Sequence, residues 1–269
     1  MSENPDDYLK KLRRDQGFMP MSGHLTELRS RLFRSLIWIA LFAGIAYFFY
    51  SDLWNFILGP VGPLIQKSRL PGNPVVKIIT TRLGDNFTIE IKILLLCGFI
   101  LSFPAILFEI WGFIQPALDK KFRRYGNGLL LFALLLFWSG VIFARMVTWP
   151  SVVEFLIFQW TPPELAISAT EKILPEVLLN IGDYFSFFMG FHIAFGLSFE
   201  LPVVSIILGA MGIISSSLFI KFWRHAIVAL CVFSILVMPP DLVAMFSLMV
   251  PLLVLYFLSF GLVWLIEKK

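Results

Sequence analysis

Long apolar runs separated by short polar stretches set the pattern of this chain. A hydrocarbon core of about 30 Å takes roughly 20 apolar helical residues. Six runs meet that length, at 32–50, 91–115, 126–149, 181–210, 222–238 and 242–266. Alternation of apolar and polar positions with period two, as a membrane barrel needs, is absent, so the spans are expected to be helices. Pro239, Pro240 and Asp241 alone separate the last two spans, which predicts an antiparallel hairpin.

Composition agrees with that pattern. Hydrophobic residues make up 58% of the chain and charged residues 15%, which excludes an ordinary soluble domain. The expectation is one all-α polytopic membrane domain over 1–269, with a polar tail at 1–31. The first 22 residues lack the apolar stretch of a cleavable signal peptide.

Charge sets the expected orientation. Lys10, Lys11, Arg13, Arg14, Arg29, Arg31 and Arg34 precede span one, Lys120, Lys121, Arg123 and Arg124 follow span two, and Lys221 and Arg224 follow span four. With Lys268 and Lys269 at the end, this set predicts that both termini are cytoplasmic. The 150–180 loop is acidic and the 51–88 loop mixed, and both are expected outside. The net charge of +4 is then a signal of topology, with no nucleic-acid motif beside it.

Catalytic chemistry finds few residues. Of the three histidines, His24, His192 and His225, His192 lies in an apolar span and reads as a packed polar side chain. There is no GxSxG stretch and no short-spaced set of ligands, so neither an enzyme, a metal nor a cofactor is expected. Cys97 and Cys231 both fall inside spans and read as buried apolar side chains.

Two stretches place acids where acids are unexpected. In HLTELRSRL, residues 24–32, Leu25, Leu28 and Leu32 form one helical stripe, with Glu27 and Arg31 an i, i+4 pair beside it. In FGLSFELPV, Glu200 stands inside span four. A carboxylate near mid-bilayer costs about 2.5–3.5 kcal/mol on insertion scales, so it is expected to face protein or water, protonated or hydrogen-bonded. Pro202, two residues on, is expected to kink the span. A small secondary transporter with Glu200 as its coupling acid is an alternative on these features alone.

HLTELRSRL, FPAILFEIWGFIQPAL followed by KKFRR, FGLSFELPV and MPPD, in that order, resemble the TatC family, the signal-recognising subunit of the twin-arginine protein translocase. The resemblance implies a concave, glove-like scaffold of six helices in the inner membrane of a prokaryote. Its implied function is export of folded proteins driven by the proton motive force. The implied partners are twin-arginine signal peptides and single-span subunits of the TatA and TatB type, with self-association in the receptor complex.

Carried over residue by residue, the resemblance makes Glu27 a carboxylate that meets the signal arginines, within two signal-contacting segments that also hold Arg29, Arg123 and Arg124. The family usually has a second Glu directly before the Arg-Arg pair; Phe122 stands there instead. Asp119 is taken as its substitute, and Glu109 is another acid on that side. Glu200 is implied to be a polar contact for a partner helix or for the signal. Pro63, Pro104 and Pro116 are expected to set helix ends and bends, Asp241 to cap span six, and Trp111 and Phe113 to anchor at the interface or line a groove.

Overall fold

The computed structural model describes residues 21–70, 75–82, 84–118, 120–158, 165–166, 172–173, 176–237 and 242–268. Lys10, Lys11, Arg13, Arg14, Asp119, Asp241 and Lys269 lie outside the described residues. Among those described, six helical stretches are long and apolar enough to cross a membrane: Gly23–Tyr47, Asp85–Ala117, Gly126–Phe158, Ile181–Ala210, Ser216–Leu236 and Met245–Glu267.

The first helix, α1 (Met21–Tyr47), takes in the HLTELRSRL stretch and the first span without a break. Leu25, Leu28 and Leu32 are exposed along it, and Glu27 and Arg31 are half-buried on another side. Two short helices follow, α2 (Tyr50–Leu58) and α3 (Val61–Ser68), and Pro63 lies in the first turn of α3. Strand β1 (Val75–Ile79) then leads to α4 (Asp85–Ile114).

Helix α4 runs antiparallel to α1 and against it. A Cβ on Gly98 would fall 2.7 Å from Ile39 O and 2.9 Å from Ala43 Cβ, so the absence of a side chain there lets the two backbones touch. Pro104 lies inside α4 and does not end it; Pro116 lies in the 3₁₀ turn Gln115–Ala117 that does. A four-residue helix, α5 (Lys120–Arg123), leads to α6 (Gly126–Phe143).

Span three outruns its expected end at 149. Helix α6 passes through a π-helical turn, Ala144–Thr148, into α7 (Trp149–Phe158). Pro150 has no N–H to continue an α-helical ladder, and the widened turn just before it carries the chain across.

Beyond this end of the bundle, β2 (Leu165–Ala166) pairs with β3 (Lys172–Ile173), and β4 (Glu176–Asn180) pairs in parallel with β1, from Val75↔Glu176 to Ile79↔Asn180. The two loops expected on the same outer face are thereby joined. Lys77 Nζ donates to Glu176 across the pair at 2.7 Å, and Lys67 forms an ion pair with Glu154.

Asn180 then caps α8 (Ile181–Ser198), its side-chain oxygen accepting from Gly182 N at 2.8 Å. The fourth span breaks at Phe199–Glu200, and α9 (Leu201–Ala210) begins with Pro202 in its first turn, where a proline suits a helix start. Helices α10 (Ser216–Val237) and α11 (Leu242–Glu267) complete the chain. Glu267 accepts from Ser216 N at 2.8 Å, tying the end of α11 to the start of α10.

The core is aromatic. Trp149, Phe185, Phe191 and Phe195 are fully buried, with Tyr184, Phe188 and His192 beside them. Trp149 Nε1 donates to Tyr184 Oη at 3.1 Å, and Tyr184 donates to Ile57 O at 3.0 Å, which fastens α7, α8 and α2 together.

Candidate functional site

The antiparallel packing of α1 on α4 brings four charged side chains together at one end of the bundle. Arg31 donates from Nε at 3.0 Å and from Nη2 at 2.7 Å, both to Glu27 Oε1. Its other terminal nitrogen, Nη1, reaches α4, 3.2 Å from Glu109 O and 3.5 Å from Glu109 Oε2. Arg34 Nη2 lies 3.4 Å from the same Glu109 oxygen. Two carboxylates thus hold two guanidinium groups, with Arg31 as the bridge.

Local sequence explains each placement. Glu27 and Arg31 are one helical turn apart, and Ser35, a turn further on, donates to Arg31 O at 3.0 Å. On α4, Gly112 makes room: a Cβ there would fall 2.1 Å from Arg31 Nη1. His24 stacks on Phe113 with ring centroids 4.4 Å apart, so the start of α1 rests on the end of α4. Trp111 packs over Gly126 at the start of α6, where a Cβ would meet its ring at 2.4 Å.

Glu27 is not fully engaged. Both short contacts from Arg31 go to Oε1; the neighbour of Oε2 among the described residues is His24 Nδ1 at 3.9 Å, beyond hydrogen bonding. The Glu27 side chain is 23% exposed, that of Arg31 20% and that of Glu109 15%. In such a half-buried setting a charge-assisted bond is stronger than at the open surface.

Other sequence-named residues sit apart from this cluster. Arg29 is exposed, its guanidinium 5.6 Å from the Phe33 ring centre. Arg123 folds back on the end of span two, donating to Leu118 O at 2.9 Å and Pro116 O at 2.7 Å, while Arg124 is exposed. Glu109 is the residue that sequence reading undervalued. Its signal was present, an acid within the apolar FPAILFEIWGFI, but only the register of α1 against α4 places it beside Arg31.

Glu200 occupies the break between α8 and α9. It is 9% exposed, and its Oε1 has no hydrogen-bond partner among the described residues. Close crossing of α6 and α8 shapes its surroundings: a Cβ on Gly140 would meet Phe195 O at 2.9 Å, and one on Gly196 would meet the Phe137 ring at 2.6 Å. His192 is buried among aromatic rings, its Nδ1 2.8 Å from Phe188 O. Cys97 and Cys231 are free and half-buried, less enclosed than the sequence suggests. No group of three or more potential metal ligands occurs among the described residues.

Six helices long and apolar enough to cross a membrane, around a small number of buried polar groups, define a multi-pass membrane protein. The family model described as Sec-independent protein translocase protein (TatC) matches residues 23–251. The chain belongs to the TatC family, and is thus a component of the Sec-independent protein translocase. It is 33% identical over 251 residues to the TatC protein of Aquifex aeolicus, covering 93% of this chain and 97% of that one. With the TatC protein of Escherichia coli K12 it shares 34% identity over 237 residues, 88% of this chain and 85% of the relative. A crystal structure of a twin-arginine translocase receptor, TatC, superposes with a TM-score of 0.72 at 32% identity, covering 91% of this chain and all of that one. The fold is therefore the six-helix, glove-like scaffold of that family.

Proposed function

We propose that this chain is the receptor and core scaffold of a twin-arginine translocase in the cytoplasmic membrane of a prokaryote. The Glu27 end of the bundle and both termini face the cytoplasm, as the basic residues before span one and after spans two and four favour. Folded cargo carrying a twin-arginine signal peptide docks there and is exported at the expense of the proton motive force. TatA-like and TatB-like subunits assemble on the scaffold, with Glu200 as a polar contact for a partner helix, and copies of the chain associate with one another in the receptor complex.

The observation that carries this reading is the half-occupied carboxylate of Glu27. Arg31 holds one oxygen and fixes the orientation of the group, and the other oxygen remains to accept from an incoming guanidinium. An arginine can aim one N–H at that oxygen and a parallel one at a neighbouring acceptor; a lysine offers a point charge on a flexible stem. Selection of paired arginines over paired lysines follows. Arg29, Arg123 and Arg124 border the docking region, and Asp119 or Glu109 supplies the acid that Phe122 displaces.

The test is binding of a twin-arginine signal peptide, with a twin-lysine version as control, to membranes holding the chain together with its two small partner subunits. The arginine peptide is expected to bind at least ten-fold tighter, and Glu27→Gln to erase that preference while the protein accumulates normally. Equal binding of both peptides by the unaltered chain overturns the receptor reading.

A further inference from the structure

At the other end of the bundle a second set of polar atoms lacks partners. Arg145, in the π-helical turn, donates from Nη2 to Phe56 O at 2.6 Å and lies over the Phe56 ring at 4.4 Å. Its Nε is buried and has no acceptor among the described residues, and no carboxylate among them pairs with it. His192 Nε2, also buried, lacks a partner as well. Both side chains line one cavity of ≈ 270 Å³ between α2, α4, α6 and α8.

The rest of that cavity is apolar. Leu96, Cys97 and Leu101 of α4 form one wall and Trp138 and Ile142 of α6 another. Its rim residues Phe56, Leu101, Ile142 and Met146 are exposed, so it opens sideways, where a membrane protein meets acyl chains. Arg145 lies about 28 Å along the helix from Gly126, at roughly 1.5 Å per residue. That distance matches the roughly 30 Å of a hydrocarbon core entered just after Arg123 and Arg124. The guanidinium therefore stands at the level of the headgroups of the leaflet away from Glu27, with the apolar groove below it.

We propose that this groove binds an anionic phospholipid, its phosphodiester on Arg145 and one acyl chain between α4 and α6. Charge selects that occupant. A guanidinium binds phosphate through paired N–H donors. A lipid phosphate already lies in that layer, with its acyl chain alongside the apolar groove that opens sideways below Arg145. The groove supplies an apolar channel and one cation, the two features such a lipid presents in reverse. The bound lipid covers the seam between α4 and α6 beside the π-helical turn.

The test uses the full chain, purified in detergent and stripped of lipid, with lipid retention read by native mass spectrometry. Dioleoyl phosphatidylglycerol is expected to be retained at least ten-fold more strongly than phosphatidylcholine of the same chains. Arg145→Gln should lower it to the phosphatidylcholine level, Arg145→Lys should keep a partial preference, and Cys97→Phe, which fills the groove, should weaken both lipids. Equal retention of the two lipids by the unaltered chain overturns the proposal, as does competition by inorganic phosphate alone at the concentration of the lipid. Should Arg145→Gln fail to fold, unchanged phosphatidylglycerol retention by Cys97→Phe overturns it equally.

Discussion

Arg31 of α1 lies directly across Gly112 of α4, so close that a Cβ on the glycine would fall 2.1 Å from Nη1. The guanidinium can occupy that place only because position 112 has no side chain, and from it reaches Glu27 on its own helix and Glu109 on the neighbour. Gly112→Ala is expected to push the guanidinium aside at little cost to folding, since the displaced group is the end of a flexible side chain. Glu27 then loses the partner that orients it. Export of a twin-arginine reporter should fall several-fold while the amount of protein in the membrane stays level; undiminished export would show that Arg31 does not position Glu27.

Glu109 and Asp119 compete for the role of second acid, and one comparison separates them. Glu109 shares Arg31 with Glu27 and also meets Arg34. Removing its charge leaves Arg31 only the Glu109 backbone carbonyl on α4, so the guanidinium leans further on Glu27 and competes with the signal for both carboxylate oxygens. Glu109→Gln is expected to weaken binding of a twin-arginine peptide about ten-fold, the scale of one charge-assisted hydrogen bond. Asp119→Asn should change it by less than a factor of about three, so the reverse order of the two affinities would return the role to Asp119.

The six spans were legible in the sequence because the membrane imposes one length and one solvent on each, and local composition records both. Glu200 stood out for the same reason, as a charge where the solvent penalises it, and Glu27 as an acid among the arginines before span one. What depended on register between distant segments was not legible. Parallel pairing of Val75–Ile79 with Glu176–Asn180 joins two five-residue strands from separate loops, too short to stand out as strands in either. The meeting of Arg31 with Glu109 depends on how α1 seats on Gly98 and Gly112. Pro202 pointed to the right span, yet the break falls at Phe199–Glu200, because a proline is accommodated in the first turn of the following helix.

Tyr184 offers a test of the core that should spare function. Its hydroxyl accepts from Trp149 Nε1 and donates to Ile57 O, within a buried aromatic cluster. Tyr184→Phe keeps the ring and leaves both partners unpaired. Hydrogen bonds between membrane helices are worth about 0.6–2 kcal/mol, so a lowered unfolding temperature in detergent is expected, with export in intact cells near normal. An unchanged unfolding temperature would mean that water or lipid replaces the hydroxyl without cost.

Gly98 and Gly44 allow the contact between α1 and α4 to be weighed against mere tolerance of a larger residue. Both are glycines in membrane-crossing helices, but a Cβ on Gly98 meets Ile39 O at 2.7 Å and Ala43 Cβ at 2.9 Å, whereas one on Gly44 meets nothing within 4 Å. A backbone carbonyl cannot swing away as a side chain can, so Gly98→Leu must separate the helices. Overpacking of this type costs about 1–3 kcal/mol. The separation also carries Glu27 and Arg31 away from Glu109, so Gly98→Leu should lose both thermal stability and signal binding, and Gly44→Leu neither. Signal affinity that survives Gly98→Leu would mean that Glu27 and Arg31 suffice without α4, and that Glu109 is a structural anchor alone.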